Sequence, residues 1–356
     1  MKSKTLWFSV LVIFLLLSAC GRAPNQPVQP IPIKVPPNTP SISAPATTVP
    51  TPFSPQTSTL LPTAAPPGNF GSLARNHLEN LSGGINSRAT GTSGCATAAA
   101  YIQNAFTQMG YAPRQQKFSY TDVTGIPGNG TNLIADKKGE TDTQIIVGAH
   151  YDSYIGHGAD DNASGVAVML EAAQRLKDIP TTYSIRFITW DAEEVGFKGS
   201  QFYVNQMNQT EKDATLVYLN LDSLAVGDYT YIYGAGAAGI QIRDWSLEKL
   251  NAIGFNLITQ QGLNPQYPAG TTGDFSDHAP FWHAGIPYVY FEATNWTLGD
   301  LDGYTQVNLK YGEAGEVWHT QYDTIDYINT TFPGRMDEHL NLFSTLLVKI
   351  LTEYQE

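Results

Sequence analysis

Cysteine is nearly absent from this chain of 356 residues, which holds only Cys20 and Cys95. Cys20 falls at the end of an N-terminal leader, so Cys95 has no partner within the globular part and no internal disulfide is expected there. Long apolar runs are also missing. The stretch from Leu6 to Leu17 is the strongest, and it is shorter than the roughly 20 residues a membrane-spanning helix needs. Positive charge is scarce: 20 Lys and Arg face 32 Asp and Glu, for a formal net charge of −12. The imbalance argues against nucleic acid as a partner and suits a cation-holding site or a substrate with a free ammonium group.

Residues 1–20 and 21–68 stand apart in composition. Lys2 and Lys4 precede the apolar run, which ends Leu17-Ser18-Ala19-Cys20. This is the pattern of a secretory signal, and with Gly21 following it resembles a bacterial lipobox. Cleavage would leave Cys20 as a lipid-bearing first residue, anchoring an exported protein to the membrane on its extracytoplasmic side. Fourteen of the 22 prolines lie between Gly21 and Gly68, among Thr, Ser, Ala and Gln and with no acidic residue. Such a segment buries too little apolar surface to offset chain entropy, so it reads as a disordered, semi-stiff linker.

Residues 69–356 are the size of one enzyme domain. The first 68 residues carry four basic and no acidic residues, so this part holds 16 basic against 32 acidic ones. Strand-like and helical patterns alternate, which predicts an α/β fold: a doubly wound, mostly parallel central sheet with helices on both faces. Strands are predicted at Lys117–Tyr120, Thr131–Ala135, Gln144–Ala149, Ser184–Trp190, Thr215–Leu221, Tyr229–Tyr233 and Pro287–Phe291. Helices are predicted at Ser72–Leu81, Cys95–Met109, Gly165–Leu176 and Met336–Leu351. Cys95 reads as a buried small residue on its helix.

Several strands end in chemically active side chains. His150-Tyr151-Asp152 closes one of them. Extended geometry puts His150 and Asp152 on one side, so that Asp152 can fix the ring nitrogen that His150 does not offer a metal. Gly158-Ala159-Asp160-Asp161 leads into the Gly165–Leu176 helix, with Asp160 expected to bridge two metals and Asp161 or Asn162 to cap the helix. Glu193-Glu194 follows another strand: Glu194 suits metal binding, and Glu193 suits proton abstraction from an activated water. Asp222 ends Leu219-Asn220-Leu221. His319 completes the set, with His278 in Ser276-Asp277-His278 as its rival. Imidazole and carboxylate in these numbers form the ligand inventory of a two-zinc hydrolase. Cobalt or manganese could occupy the same ligands.

Taken in order, these segments and Trp318-His319-Thr320 resemble the co-catalytic di-zinc aminopeptidase family, which includes bacterial leucyl aminopeptidases, aminopeptidase Y and the glutamate carboxypeptidases. The resemblance spans Ser72 to Glu356. It implies two Zn2+ per chain, one held by His150 and Asp222, the other by Glu194 and His319, with Asp160 between them. It further implies Glu193 as general base, supported by Asp152, and a cis peptide after the bridging aspartate, at Asp160-Asp161. The protease-associated domain of larger members has no room here.

The expected activity is an aminopeptidase acting, as a monomer, on peptides with a free N-terminus. Acidic groups would hold the substrate's amino group, and aromatic residues of Asp274–Trp282 and Phe291–Trp296 would form its side-chain pocket. A carboxypeptidase or dipeptidase on the same site would want a basic cluster, and Arg186, Arg243 and Arg335 are scattered. The fold would also serve a one-zinc glutaminyl-cyclase-like enzyme or a non-catalytic surface binding module. The complete ligand set disfavours the binding module.

Overall fold

In a computed structural model, residues 69–85 and 87–355 are described. The leader, Cys20 and the proline-rich segment through Gly68 lie outside the described residues. Helix α1 (Ser72–Leu78) runs into a π-helical turn, and α2 (Ser93–Gln108) follows. Strands β1 (Arg114–Thr121), β2 (Pro127–Lys137) and β3 (Gln144–His150) lead to α3 (Gly165–Leu176) and β4 (Ser184–Trp190). Next come α4 (Lys198–Gln206), α5 (Gln209–Ala214), β5 (Thr215–Leu221), β6 (Tyr229–Ala235), α6 (Gly236–Ala252) and β7 (Leu257–Ile258). Helix α7 (His278–His283), β8 (Tyr288–Thr294), α8 (Ile325–Thr331) and α9 (Arg335–Glu353) complete the chain.

The strands form one sheet in the order β1-β2-β4-β3-β5-β8-β6-β7. The four central strands, β4, β3, β5 and β8, run parallel, whereas β2 joins β4 and β6 joins β8 in antiparallel fashion. The doubly wound α/β sheet is therefore present, with its parallel part confined to the middle. Period-two burial makes its two faces. Ile145, Val147, Phe187, Leu219 and Val289 pack on one side with residues of α2, α3 and α9. Ile146, Ile188, Trp190 and Tyr218 pack on the other with Tyr203 of α4 and Phe281 of α7. Gly148 lets this second layer close: a Cβ there would lie 2.4 Å from both the Trp190 indole nitrogen and the Tyr218 hydroxyl.

Helix starts follow local chemistry. The Thr92 hydroxyl accepts the Cys95 amide at 3.3 Å at the start of α2, and Asn208 with Glu211 forms a reciprocal capping box on α5. Cys95 is buried on α2 as expected. Helix α6 escaped the sequence reading because its apolar residues Ile240, Ile242, Trp245, Leu247 and Leu250 are scattered around the helix axis rather than forming a stripe. Since β3, β4, β5 and β8 are parallel, their carboxyl ends share one sheet edge, where ligands of open α/β folds bind.

Candidate metal centre

At that edge six side chains from distant parts of the chain converge. His150 leaves the end of β3 and Asp222 follows β5. Their Nε2 and Oδ1 atoms are 3.2 Å apart. Glu193 and Glu194 sit in the turn after β4. His319 comes from the long segment between β8 and α8, its Nε2 lying 3.1 Å from Glu194 Oε2. Asp161 lies between the histidines, with Oδ1 3.1 Å from His150 Nε2 and Oδ2 3.1 Å from His319 Nε2. The ligand atoms of His150, Asp161 and Glu194 fall within 4.8 Å of one another, as do those of His150, Glu193 and Asp222.

Three expectations need correction. The residue between the histidines is Asp161, not Asp160. The Asp160 carboxylate faces away and is spent on the protein: Oδ1 accepts the Ala225 and Val226 amides at 2.6 and 3.1 Å, and Oδ2 accepts the Gln306 side-chain amide at 2.5 Å. The cis peptide is Asp161-Asn162 rather than Asp160-Asp161. Nor is Asp161 a helix cap; it is Asn162 Oδ1 that accepts the Gly165 amide at 2.9 Å as α3 begins. Asp152 also does more than orient His150, from whose Nδ1 it is 3.5 Å away. Its two oxygens accept the amides of Glu193 and Glu194, both at 3.2 Å, and so hold the glutamate turn.

Sequence reasoning missed the residues beneath this centre. Asp323 accepts the Asp160 and Asp161 amides at 2.7 and 3.0 Å. Gln306 reaches in two directions: its amide nitrogen serves Asp160, while its oxygen accepts the Val317 and Trp318 amides at 2.9 and 2.8 Å, just before His319. Arg88 is fully buried and donates to the carbonyls of Tyr151, His157 and Gly158. None of these sits in a recognisable motif, since each meets its partner through tertiary contact alone. Three non-glycine residues at the centre, Ala192, Ser223 and His319, have φ between 53° and 62°. Left-handed backbone of this kind costs on the order of 1–3 kcal/mol per residue and persists where surrounding contacts over-determine it. His278 is no rival for His319: its Nε2 lies 2.9 Å from the Gly273 carbonyl.

The electrostatics mark a site built around positive charge. Burial alone would lower the pKa of His150, but the nearby Asp222 and Glu193 carboxylates outweigh it and hold the imidazole well above its ordinary range. Burial likewise opposes charge on His319, and Glu194 and Asp161 overcome it. Burial raises Glu193 well above the usual carboxylate range; His150 opposes this, while Glu194 and Asp277 add to it. Glu194 is pushed up to about 7, first by burial and then by Asp161. Asp161 moves the other way: its contacts with the two imidazoles outweigh burial and lower it. So many carboxylates in one dry pocket are costly unless protons or a metal compensate them.

The donor set fits zinc. Donors about 2.0–2.1 Å from a tetrahedral zinc lie roughly 3.3 Å from one another, close to the 3.1–3.2 Å spacings here. Asp161 offers one oxygen to each histidine, and the buried Glu194 Oε1 has no hydrogen-bond partner. His150, Asp161 and Asp222 could hold one ion, and Asp161, Glu194 and His319 a second.

Comparison with known proteins agrees with this chemistry. Residues 132–343 match the model of peptidase family M28. The alkaline phosphatase isozyme conversion protein of Escherichia coli is 34% identical over 321 residues, 81% of this chain and 90% of that one. Aminopeptidase YwaD of Bacillus subtilis is 33% identical over 52% of this chain, but only 37% of its own length is matched. Among solved structures, a zinc aminopeptidase from Bacillus subtilis superimposes with a TM-score of 0.63 at 20% identity, covering 84% of this chain and 98% of the other. The glutaminyl cyclase of Porphyromonas gingivalis gives 0.64 at 20% identity, over 79% and 98%. At these identities the solved structures speak for the fold, whereas the family match and the Escherichia coli relative speak for descent. The chain belongs to peptidase family M28, as a metallopeptidase built on the zinc aminopeptidase fold.

Proposed function

We propose that this protein is a two-zinc aminopeptidase that removes residues from the free N-terminus of peptides. The observation that carries the reading is the Asp161 carboxylate set between His150 and His319. Its two oxygens allow a pair of ions to share one ligand. Bound zinc would supply an acidified water and a polarised scissile carbonyl. The protein does the rest. Glu193, buried beside the centre and positioned by Asp152, accepts a proton from the attacking water and returns it to the departing amine. Ser276 holds Asp222 through a 2.6 Å hydrogen bond and keeps that ligand aimed inward.

The test is cleavage of aminoacyl-nitroanilides beside amino-blocked and carboxyl-blocked peptides, with zinc measured by mass spectrometry. Hydrolysis requiring a free amino terminus and about two zincs per chain is the expected result. Cyclisation of N-terminal glutamine without hydrolysis would move the protein to the cyclase branch of the fold. Fewer than one zinc per chain would return it to a binding role.

The leader and the 21–68 spacer complete the proposal: an exported, monomeric enzyme held at the membrane through lipid on Cys20. Cys20→Ala should release the protein into the soluble extracytoplasmic fraction; continued membrane retention would remove the lipid anchor.

A further inference from the structure

One side of the centre is closed and the other is open. His150 and Asp222 are buried, and on the strand that pairs with β5 so are Tyr290 and Glu292. The His319 side chain, by contrast, reaches solvent. A peptide cut near its amino terminus has one short end and one long one. Only the short end can face the closed side, so the rest of the chain must leave across His319. Side chains that line this exit therefore meet the substrate's second residue, whose nitrogen departs.

The exit carries exposed rings. Tyr154 is 42% exposed and Tyr304 45%. The Tyr154 ring lies against the His319 imidazole, with centroids 4.9 Å apart and planes inclined by 49°. Trp318 continues the row 6.4 Å from His319, and Tyr304 follows 5.3 Å from Trp318. Ile155, beside Tyr154, is exposed as well.

The loop that carries Tyr154 and Ile155 is held on both flanks. The Arg88 amide donates to Ser153 Oγ at 3.1 Å, and the Arg88 guanidinium donates to the His157 and Gly158 carbonyls at 2.5 and 2.8 Å. His157 Nδ1 lies 2.9 Å from the Ser82 carbonyl. A buried arginine thus fixes the base of a loop whose tip presents two large apolar side chains to water. Such a surface is left uncovered at a cost, and a ligand ring or aliphatic chain laid on it removes that cost. An aromatic partner gains most, because offset or edge-to-face contact between rings adds to the area buried. Glycine in the same place gains nothing.

We propose that Tyr154 is a specificity-determining residue for the position after the scissile bond, where it selects a large apolar or aromatic side chain. The inference rests on the aminopeptidase reading and adds the leaving side of the same site. Ile155 and Tyr304 widen the apolar surface, and Arg88 is a positioning residue for the loop.

The test holds the N-terminal residue constant, at whichever one the zinc-loaded wild type cleaves fastest, and varies the second residue among Phe, Leu and Gly in dipeptide amides. The plain aminoacyl amide, which has nothing beyond the scissile nitrogen, is the reference. The wild type should favour Phe over Gly in kcat/KM by at least about threefold. Tyr154→Ala should lower that ratio by about three- to tenfold, the scale of one aromatic pair, mainly through KM. Tyr154→Phe should keep it. Thermal melts and zinc content check that each variant is folded and loaded, and Tyr154→Gln, which keeps the bulk without the ring, carries the same comparison if the alanine variant fails to fold. A wild type that cleaves the glycyl substrate as fast as the phenylalanyl one would overturn the proposal. So would a Tyr154→Ala enzyme that slows every substrate and the plain amide in equal proportion, since the ring would then merely support His319. Cleavage of none of the series would sink the aminopeptidase reading itself.

Discussion

The two halves of the candidate centre are held in different ways. His150 and Asp222 sit at the ends of neighbouring parallel strands, and sheet register places them. Glu194 and His319 sit on loops, and buried side chains that grip backbone amides place them: Asp152 for residues 193 and 194, Gln306 for residues 317 and 318. The His150 side chain is 1% exposed and that of His319 is 36% exposed. The strand half is therefore dry and rigid, while the loop half faces solvent and depends on a polar network. Asp161 links them.

The largest effects should come from the linking residue and the base. Asp161→Asn should strip both halves of metal, leaving fewer than one zinc per chain by mass spectrometry, whereas Asp160→Asn should spare the ligand set. Equal zinc loss in both would contradict the assignment of the bridge to Asp161. Glu193→Gln should lower turnover by about 10²–10⁴-fold on an aminoacyl-nitroanilide with zinc content unchanged. Near-normal turnover would remove Glu193 from the mechanism.

The next effect separates the halves. Gln306→Leu cuts the tie between Asp160 and the His319 segment while leaving β3 and β5 alone. It should weaken one zinc site by about 10–100-fold, the usual scale for losing a residue that positions a ligand, and leave the other near wild type. A competitive zinc titration resolves the two affinities, and equal weakening would erase the distinction between strand half and loop half. A smaller, kinetic difference should appear on chelation: the solvent-facing His319 side should release its metal first, giving two phases.

Acidification gives the mildest contrast. In the metal-free protein Glu194 holds its proton up to about 7, and His150 and His319 hold theirs well above the ordinary histidine range. A metal must displace those protons, so affinity rises with pH and falls as pH drops through 7. Each displaced proton contributes roughly a tenfold change per pH unit below the group's pKa. A zinc affinity independent of pH between 5 and 8 would show that the centre is already deprotonated.

Much of this protein is legible in its residues, for a physical reason. Strands such as Gln144–His150 and Ser184–Trp190 are short apolar runs that end in charge, and a buried strand leaves few other ways to place a histidine or an acid at its tip. Side-chain type then restricts the chemistry to metal and proton transfer. Adjacent acids defeat the same logic. Asp160 and Asp161 have identical side chains, and their roles are divided by partners far along the chain: the amides of Ala225 and Val226, and the amide of Gln306. Glu292 likewise accepts the Tyr233 hydroxyl only because β6 and β8 pair antiparallel and bring that tyrosine across. The sequence by itself determined which elements carry the chemistry and what kind it is, because local pattern and side-chain identity suffice for that. Tertiary structure alone decided which oxygen faces the centre, because that depends on who else is close enough to claim it.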